Sequence, residues 1–179
     1  MPRLSLPWRR SAPLPPGLVS ALEPGEQVQV VASVIGGETL AVSRFGLWLW
    51  SDIAVRWNWE RVSKALLSAR TLTVIAAEEV GITDAGIVLL TDLPPRAFEL
   101  AGTSGLTDAV HSRVRHSVAA SRHLPWPGGG GWVVLRRVPR RDGLTTQLRL
   151  DRGADHAAAG FLAAVAHTAA ELEAELLGI

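Results

Sequence analysis

From residue 27 to residue 90, the chain consists of short apolar runs separated by glycine or charged residues. None of these runs has a convincing 3.6-residue period, whereas several alternate apolar and polar side chains with a period of two. A period of two places successive side chains on opposite faces of a β-strand. The pattern therefore predicts a meander of about six or seven strands, with Gly36 and Gly37 in one of its tight turns.

The stretch GLWLWSDIAVRWNWERV, residues 46–62, holds four of the seven tryptophans of the chain. In its second half, Val55, Trp57 and Trp59 alternate with polar residues, which is typical of a strand with one buried face. We therefore expect Trp57 and Trp59 in the core. Both faces of the preceding LWLW strand are apolar, so its two tryptophans have two interpretations, a second buried face or a ring exposed to a partner.

Beyond the meander, the apolar positions predict two helices. The first pattern lies in residues 103–118, and its positions are Leu106, Val110, Val114 and Val118. The second lies near the C terminus, and its positions are Phe161, Val165, Leu172 and Leu176. Gly178 follows the second pattern and is expected to end that helix.

The residues between the two helices predict further strands. VAASRHL is a candidate strand, and residues 132–150 are typical of a hairpin with its turn at Asp142 and Gly143. Leu135 is expected to face Leu148 or Leu150, which gives the hairpin one apolar side. We expect the C-terminal helix to cover that side.

The segments AVSRFGLWLW, VRWNWERVSKA and RTLTVIAA resemble the bacterial branch of the pleckstrin-homology-like (PH-like, GRAM-like) superfamily. The resemblance covers roughly residues 22–120 and implies a bent, seven-stranded antiparallel β-barrel closed by a helix. Trp59 would match the tryptophan that packs into the barrel. Lipid-binding members carry basic residues near the first β turn, but the matching residues 35–38 have no positive charge, so inositol headgroup binding there is not expected.

Together these patterns predict an α+β protein in three parts. Residues 1–21 are expected to be a proline-rich, flexible leader, because five prolines fall within the first sixteen residues. A proline-rich docking peptide is the alternative. Residues 22–120 would form the PH-like barrel with its helix. Residues 121–179 would form an appendage of strand, hairpin and C-terminal amphipathic helix packed on the barrel.

The composition predicts a folded, soluble, cytoplasmic protein. No run approaches the ~18 apolar residues of a membrane-spanning helix, and the leader has no apolar region typical of a signal peptide. Cysteine is absent, which excludes disulfides, thiolate metal sites and a cysteine nucleophile.

No motif predicts a catalytic residue, a cofactor or a metal site. The run PGGGGW, residues 127–132, lacks the Lys and the Ser or Thr of a phosphate-binding loop and precedes a predicted strand, so we interpret it as a flexible linker. The five histidines show no metal-ligand spacing. Ser104 precedes a helix and has no nucleophile motif around it, which favours a role as a helix cap.

Positive charge is concentrated between residues 101 and 150, where eight arginines stand against two aspartates. The candidate interaction surface consists of Arg113, Arg136, Arg137, Arg140, Arg141 and Arg149, with Trp126 and Trp132 near it. The motif RRVPRR, residues 136–141, is expected beside the hairpin turn, where arginines are accessible to solvent. Two structural alternatives remain: acids of the barrel or of the C-terminal helix neutralise the arginines, or the arginines discourage pairing between strand edges.

These observations favour a non-catalytic protein-binding or scaffold module, because arginine and tryptophan are typical of protein interfaces and no groove-entering motif is evident. One alternative is a binder of nucleic acid or acidic lipid through the arginine-rich hairpin. The other is an enzyme with an unrecognised site. The sequence leaves the oligomeric state open.

Overall fold

The first sheet is formed by residues 28–58, a region that holds three of the seven tryptophans. The structure is a computed structural model, and it describes residues 13–102 and 104–179. Four antiparallel strands follow one another in chain order: β1 (Val28–Ser33), β2 (Thr39–Ser43), β3 (Gly46–Trp50) and β4 (Ala54–Asn58). Gly37 has a φ of 91° in the turn between β1 and β2, a conformation that glycine adopts without strain. The predicted turn at this position is confirmed.

The second sheet is built around one long strand, β6, which pairs with different strands along its two halves. Its strands are β5 (Val62–Ser68), β6 (Thr71–Ile82), β7 (Val88–Asp92), β8 (Arg96–Glu99), β9 (Val118–Leu124), β10 (Gly131–Arg136) and β11 (Thr145–Leu150). The first half of β6 pairs with β5 and β8, and the second half pairs with β7. From β7 the sheet continues through β11, β10 and β9, and only the pairing of β7 with β11 is parallel among the described strands.

The first sheet and the strands β5, β6 and β8 enclose one apolar core and form a curled half-barrel. The two parts meet at a corner, where Val34 pairs with Leu100. Helix α2 (Leu106–Ser117) packs on this core with Leu106 and Val110 fully buried. The helix predicted from the apolar pattern is therefore confirmed as far as Ser117, whereas Val118, the last position of the pattern, begins β9. The α+β class is also confirmed.

Trp59 is the largest side chain in this core. Only 2% of it is exposed, and its Nε1 donates a hydrogen bond to the Ser43 carbonyl at 3.0 Å. Trp57 is partly buried against the same core, and its ring centroid lies 6.1 Å from that of Phe98. The predicted core position is confirmed for Trp59 and confirmed in part for Trp57, which is only partly buried. Val55 is 36% exposed, so the buried face of β4 does not extend to that end of the strand.

Helix α3 (Phe161–Leu177) covers one face of the strands β7, β10 and β11 and forms a second core with them. The hairpin was expected to be covered in this way. Its buried apolar residues are Phe161, Val165, Ala169 and Leu172, and they pack against Leu89, Val133, Leu135 and Leu148 of the strands. Gly178 ends the helix with a φ of 71°. Leu176, the last member of the predicted stripe, is 43% exposed.

A short helix, α1 (Pro16–Ala21), packs against the outer face of β3. Pro16 occupies the first turn, where the missing N–H costs no hydrogen bond. Gly17 lies so close to the ring of Trp50 that a Cβ would come within 2.0 Å of Cη2. Trp48 is buried beneath this helix, so both faces of β3 are covered. A helix thus replaces the extended backbone predicted for residues 16–21, while residues 1–12 of the predicted leader lie outside the described residues.

The boundary predicted between residues 120 and 121 does not separate the barrel from the C-terminal part, because strands from both sides of it pair in one sheet. Strand β7 lies within the range 22–120 predicted for the barrel, but it instead pairs with β11, one of the strands that follow α2. The barrel and the C-terminal part therefore share β6. Strand β8, which completes the half-barrel, was not predicted because Pro94 and Pro95 precede it and its apolar pattern is short.

The hairpin of β10 and β11 has the predicted apolar side, although its register differs by two residues. Leu135 lies opposite Thr146, and Val133 lies opposite Leu148. The glycine run before β10 forms a close connection between β9 and β10, because a Cβ on Gly130 would come within 2.0 Å of the Leu124 carbonyl oxygen. Among the described residues, no helix combines the length and the apolar content needed to cross a membrane.

We expect Trp59→Ala to reduce the free energy of unfolding by about 3 to 5 kcal/mol, because the substitution leaves a cavity in the half-barrel core. Urea denaturation measures this change. Trp132→Ala is the matched control, because Trp132 is 42% exposed and its loss should change stability by less than about 1 kcal/mol. An equal effect of the two substitutions would contradict the core assignment of Trp59.

Candidate functional site

The structure divides the arginine-rich region into side chains that are buried or paired with acids and side chains that form no ion pair among the described residues. Three of the eight arginines form ion pairs with acids of the barrel or of α3, which confirms internal neutralisation for these three. The pairs are Arg122 with Glu171 and Glu175, Arg140 with Glu23, and Arg149 with Asp92. The predicted surface is correspondingly smaller.

Arg136 was predicted on an exposed surface, and that prediction is wrong, because only 5% of the residue is exposed. Strand alternation places it on the same face of β10 as Val134, and this face turns towards the half-barrel. Its Nη1 donates to the Trp59 carbonyl at 3.1 Å and to Ser117 Oγ at 2.6 Å, and its Nη2 donates to the Val62 carbonyl at 3.2 Å. The guanidinium therefore joins β10 to three segments of the barrel.

Burial lowers the pKa of Arg136 to about 10, although the nearby charge of Glu60 opposes this shift. The side chain is still protonated at neutral pH. No carboxylate oxygen of the described residues lies within 4.0 Å of it, so hydrogen bonds from Nη1 and Nη2 to neutral oxygens hold the buried charge, while Nε is buried without a partner among the described residues. Such a charge depends on those acceptors, because an unpaired charge in the protein interior is strongly destabilising.

Arg140 is exposed but is fixed to the barrel. It forms an ion pair with Glu23, and its guanidinium carbon lies 3.8 Å from the centre of the Phe45 ring. Hydrogen bonds from Arg56 and then from Arg140 lower the pKa of Glu23. Arg140 therefore ties the β10–β11 loop to the first sheet.

Glu26 lies beside this pair and has a fully buried side chain. It accepts hydrogen bonds from Ser43 Oγ, from Trp48 Nε1 at 2.9 Å and from Arg56 Nη1 at 3.1 Å. Burial by itself raises the pKa of Glu26, but these hydrogen bonds, one from the Glu23 amide and the charge of Arg56 outweigh it and lower the pKa. The ionised carboxylate holds α1 and the following loop against β3.

The two candidate tryptophans have different roles. Trp126 is partly buried in the second core, with its ring centroid 5.4 Å from that of Phe161. Trp132 is 42% exposed and lines an open groove of about 600 Å³ together with Pro94, Pro95 and Arg149. Because Arg149 is paired with Asp92 at the same groove, the local charge there is balanced.

Arg113 and Arg137 meet at a different place, with Arg44 of the β2–β3 turn as a third cation. The three side chains line a solvent-open depression of about 200 Å³, which we call the arginine cavity. Its remaining lining residues are Trp59, His116, Ser117, Val138 and Pro139. Residues from the barrel, from α2 and from the segment after β10 thus converge on one small space.

The arginines of this cavity have neutral partners within the described part of the chain. Arg113 donates to Gln29 Oε1 at 2.7 Å, and the guanidinium of Arg44 lies 4.5 Å from the centre of the Phe45 ring. Arg137 makes only long contacts of 3.4 and 3.5 Å with the carbonyls of residues 116 and 118. The ion pairs within 4.0 Å among the described residues include none of these three arginines. Residues 1–12 and 103 contain no Asp or Glu that could supply another.

Arg44 and His116 belong to the cavity but were not among the predicted site residues. Arg44 is exposed between β2 and β3, and nothing in the sequence places it beside residue 113. Arg141 is exposed and takes part in none of the ion pairs among the described residues, but it does not line the cavity. The predicted surface is thus replaced by two separate features, the arginine cavity and the Trp132 groove.

We expect Arg136→Lys to reduce the free energy of unfolding by about 2 to 4 kcal/mol. The single ammonium group cannot reproduce the planar fork that reaches Trp59, Ser117 and Val62. Chemical denaturation of the variant measures the loss. The neighbouring exposed residue supplies the control, since Arg137→Lys should stay within about 0.5 kcal/mol of the wild type. Equal stability of both variants would show that the buried guanidinium does not join the sheets.

The lowered pKa values of Glu23 and Glu26 predict sensitivity to acid. A carboxylate with a lowered pKa in the folded state stabilises the fold above its ordinary value of 4.5, and this contribution is lost as the pH falls through the lowered value. We expect Glu26→Gln to have a lower Tm at pH 7 and a smaller fall in Tm between pH 5 and pH 3 than the wild type. Glu173→Gln, at an exposed position of α3, should keep the wild-type profile. Identical profiles for all three proteins would contradict this role of Glu26.

Comparisons of the chain with protein family models, with curated proteins and with solved structures found no match. Any assignment of function therefore depends on the side chains of this chain. Its best-defined local arrangement is the arginine cavity, where three cations from distant segments meet without a carboxylate of the described residues.

Proposed function

We propose that the chain is a non-catalytic binding module with a PH-like barrel, and that a protein partner docks around the arginine cavity. The half-barrel supports the PH-like part of this proposal: a sheet of four strands and the strands β5, β6 and β8 enclose one core on which helix α2 packs, although β7, between β6 and β8 in the chain, lies outside it. The arrangement of the arginines supports the binding part.

The observation that carries the proposal is the contrast between two sets of arginines. Arg122, Arg140 and Arg149 are neutralised by acids of the fold, and Arg136 is buried. Arg44, Arg113 and Arg137 instead gather around one cavity with neutral partners. Like charges held together oppose folding unless a counter-charge arrives, so an acidic group of a partner would be stabilised there.

The chemistry of the lining residues favours binding over catalysis. Arginine does not release its proton at neutral pH, so it positions anions and does not act as an acid or a base. The Ser117 hydroxyl donates to the Val114 carbonyl at 2.7 Å and accepts a hydrogen bond from Arg136 at 2.6 Å. It is therefore occupied by the fold and is a poor nucleophile in this setting.

The convergence of the cations favours a protein partner over a nucleic acid or an acidic membrane. Long polyanions gain affinity from many phosphate contacts spread along a surface. Here three arginines of the predicted surface, at residues 136, 140 and 149, serve the fold. Arg115 and Arg141 are exposed elsewhere. The three arginines of the cavity surround one concave space with apolar walls from Val138 and Pro139. A discrete space of this kind suits one acidic side chain of a folded or extended protein partner.

We expect a variant with Arg44, Arg113 and Arg137 all changed to Gln, the cavity variant, to lose its partner protein while remaining folded. The matched control changes the exposed residues Arg70, Arg96 and Arg152 to Gln, which removes the same charge elsewhere. Affinity capture from an extract of the native cell, followed by binding measurements on the purified pair, tests the difference. Circular dichroism verifies that both variants are folded.

Two outcomes would contradict the proposal. One is that no captured protein depends on the three arginines of the cavity. The other is that duplex DNA, single-stranded RNA or anionic vesicles bind the wild type with an affinity that falls by orders of magnitude between about 50 and 200 mM salt, as counterion release requires.

A further inference from the structure

The charge and the size of the arginine cavity point to a particular kind of acidic group. Building on the proposed function, we infer that the cavity binds a phosphomonoester, carried by a phosphorylated side chain of the protein partner. The matching β turn of lipid-binding PH-like proteins, residues 35–38 in this chain, is not among the residues that line the cavity.

Charge distinguishes a phosphomonoester from a carboxylate. Three guanidinium groups line the cavity, and none of them has a carboxylate of the described residues within 4.0 Å. A carboxylate would supply one negative charge and two oxygens, whereas a phosphomonoester supplies about −1.5 to −2 charges and three terminal oxygens. The phosphomonoester therefore neutralises more of the cluster and offers one acceptor oxygen to each arginine.

The three arginines have enough free N–H groups for this task. Each guanidinium carries five donors in a planar fork that matches the oxygens of a phosphate. Arg113 uses one of them in its hydrogen bond to Gln29. The contacts of Arg137 with two backbone carbonyls, at 3.4 and 3.5 Å, are near the upper limit for a hydrogen bond. Most donors around the cavity are therefore available to a ligand.

The space also fits a small group. One water molecule occupies ~30 Å³ of the liquid, so a cavity of about 200 Å³ admits a phosphate together with part of the side chain that carries it. Val138, Pro139 and Trp59 form apolar parts of the wall.

The end of α2 explains why several cations are needed at this position. Carbonyl groups at the C-terminal end of a helix repel anions, and His116 and Ser117 are the last residues of α2. Arg137 lies over two of these carbonyls, at residues 116 and 118, and shields a ligand from them. Arg44 and Arg113 then supply the remaining positive charge.

The first experiment titrates the full chain with inorganic phosphate at constant ionic strength and follows Tm and the heat of binding. Ligand binding to the folded state raises Tm. We expect phosphate to raise it, acetate at the same ionic strength to leave it unchanged, and the cavity variant to lose the response. The control variant at residues 70, 96 and 152 should keep it. Arg113→Lys should bind about tenfold more weakly, since lysine keeps the charge but loses the fork.

The second experiment compares a short phosphoserine peptide with its unphosphorylated twin, and vesicles containing phosphatidic acid with vesicles of phosphatidylglycerol. Preference for the phosphoserine peptide, lost in the cavity variant, would support the inference. Equal binding of phosphate by the cavity and control variants would overturn it, as would no binding of phosphate by the folded wild type. Tighter binding of phosphatidic acid vesicles than of the phosphopeptide would also overturn it, by assigning the phosphate to a lipid.

These outcomes separate the inference from the proposed function. If phosphatase treatment of a captured partner leaves its arginine-dependent binding intact, the phosphate inference fails and the protein-binding role stands. If phosphate and the phosphopeptide bind but no cellular protein depends on the three arginines, the protein-binding role fails and the cavity remains an anion site.

Discussion

The buried guanidinium of Arg136 is the interaction on which the arrangement of the two cores depends. It belongs to β10, yet its hydrogen bonds reach Trp59 and Val62 of the barrel and Ser117 at the end of α2. A charge that forms no ion pair within 4.0 Å among the described residues stays buried only while those neutral acceptors remain in place. Moving the C-terminal strands away from the barrel would expose this charge to solvent or remove its hydrogen-bond acceptors. The shared strand β6 adds a covalent link between the same two parts.

This constraint also creates the arginine cavity. Arg137 follows Arg136 directly, so fixing Arg136 against Trp59 and Ser117 places Arg137 beside the end of α2. The Arg140–Glu23 pair then holds the rest of the β10–β11 loop on the first sheet. Three arginines thus serve one short segment in different ways, one in the interior, one at the cavity and one as a clamp. Of the arginines in the motif RRVPRR, only Arg137 lines the arginine cavity.

The tryptophans show how a strand rich in aromatic residues is accommodated without a large exposed patch. Trp59 fills the half-barrel, and Trp48 and Trp50 lie under α1 on the other face of the sheet. Gly17 makes the second arrangement feasible, because only a residue without a Cβ fits against the Trp50 ring. Trp132 stays 42% exposed beside a groove whose charges are balanced, unlike those of the arginine cavity.

Local patterns by themselves determined most of the elements: the strands of the aromatic region, both longer helices, the hairpin and the burial of Trp59 follow from periodicity and turn residues, which act over a few positions. Tertiary structure decided what depends on distant partners. The parallel pairing of β7 with β11 places a predicted barrel strand beside the C-terminal hairpin, and residues 16–21 form a helix that packs closely against Trp50. Strand alternation predicts on which face of β10 Arg136 lies. Only the packing of that face against the barrel buries the side chain. Arg44 and Arg113 are 69 positions apart, and only the fold brings them to one cavity. The positions of charged residues along the sequence do not show which of them lie close together in space.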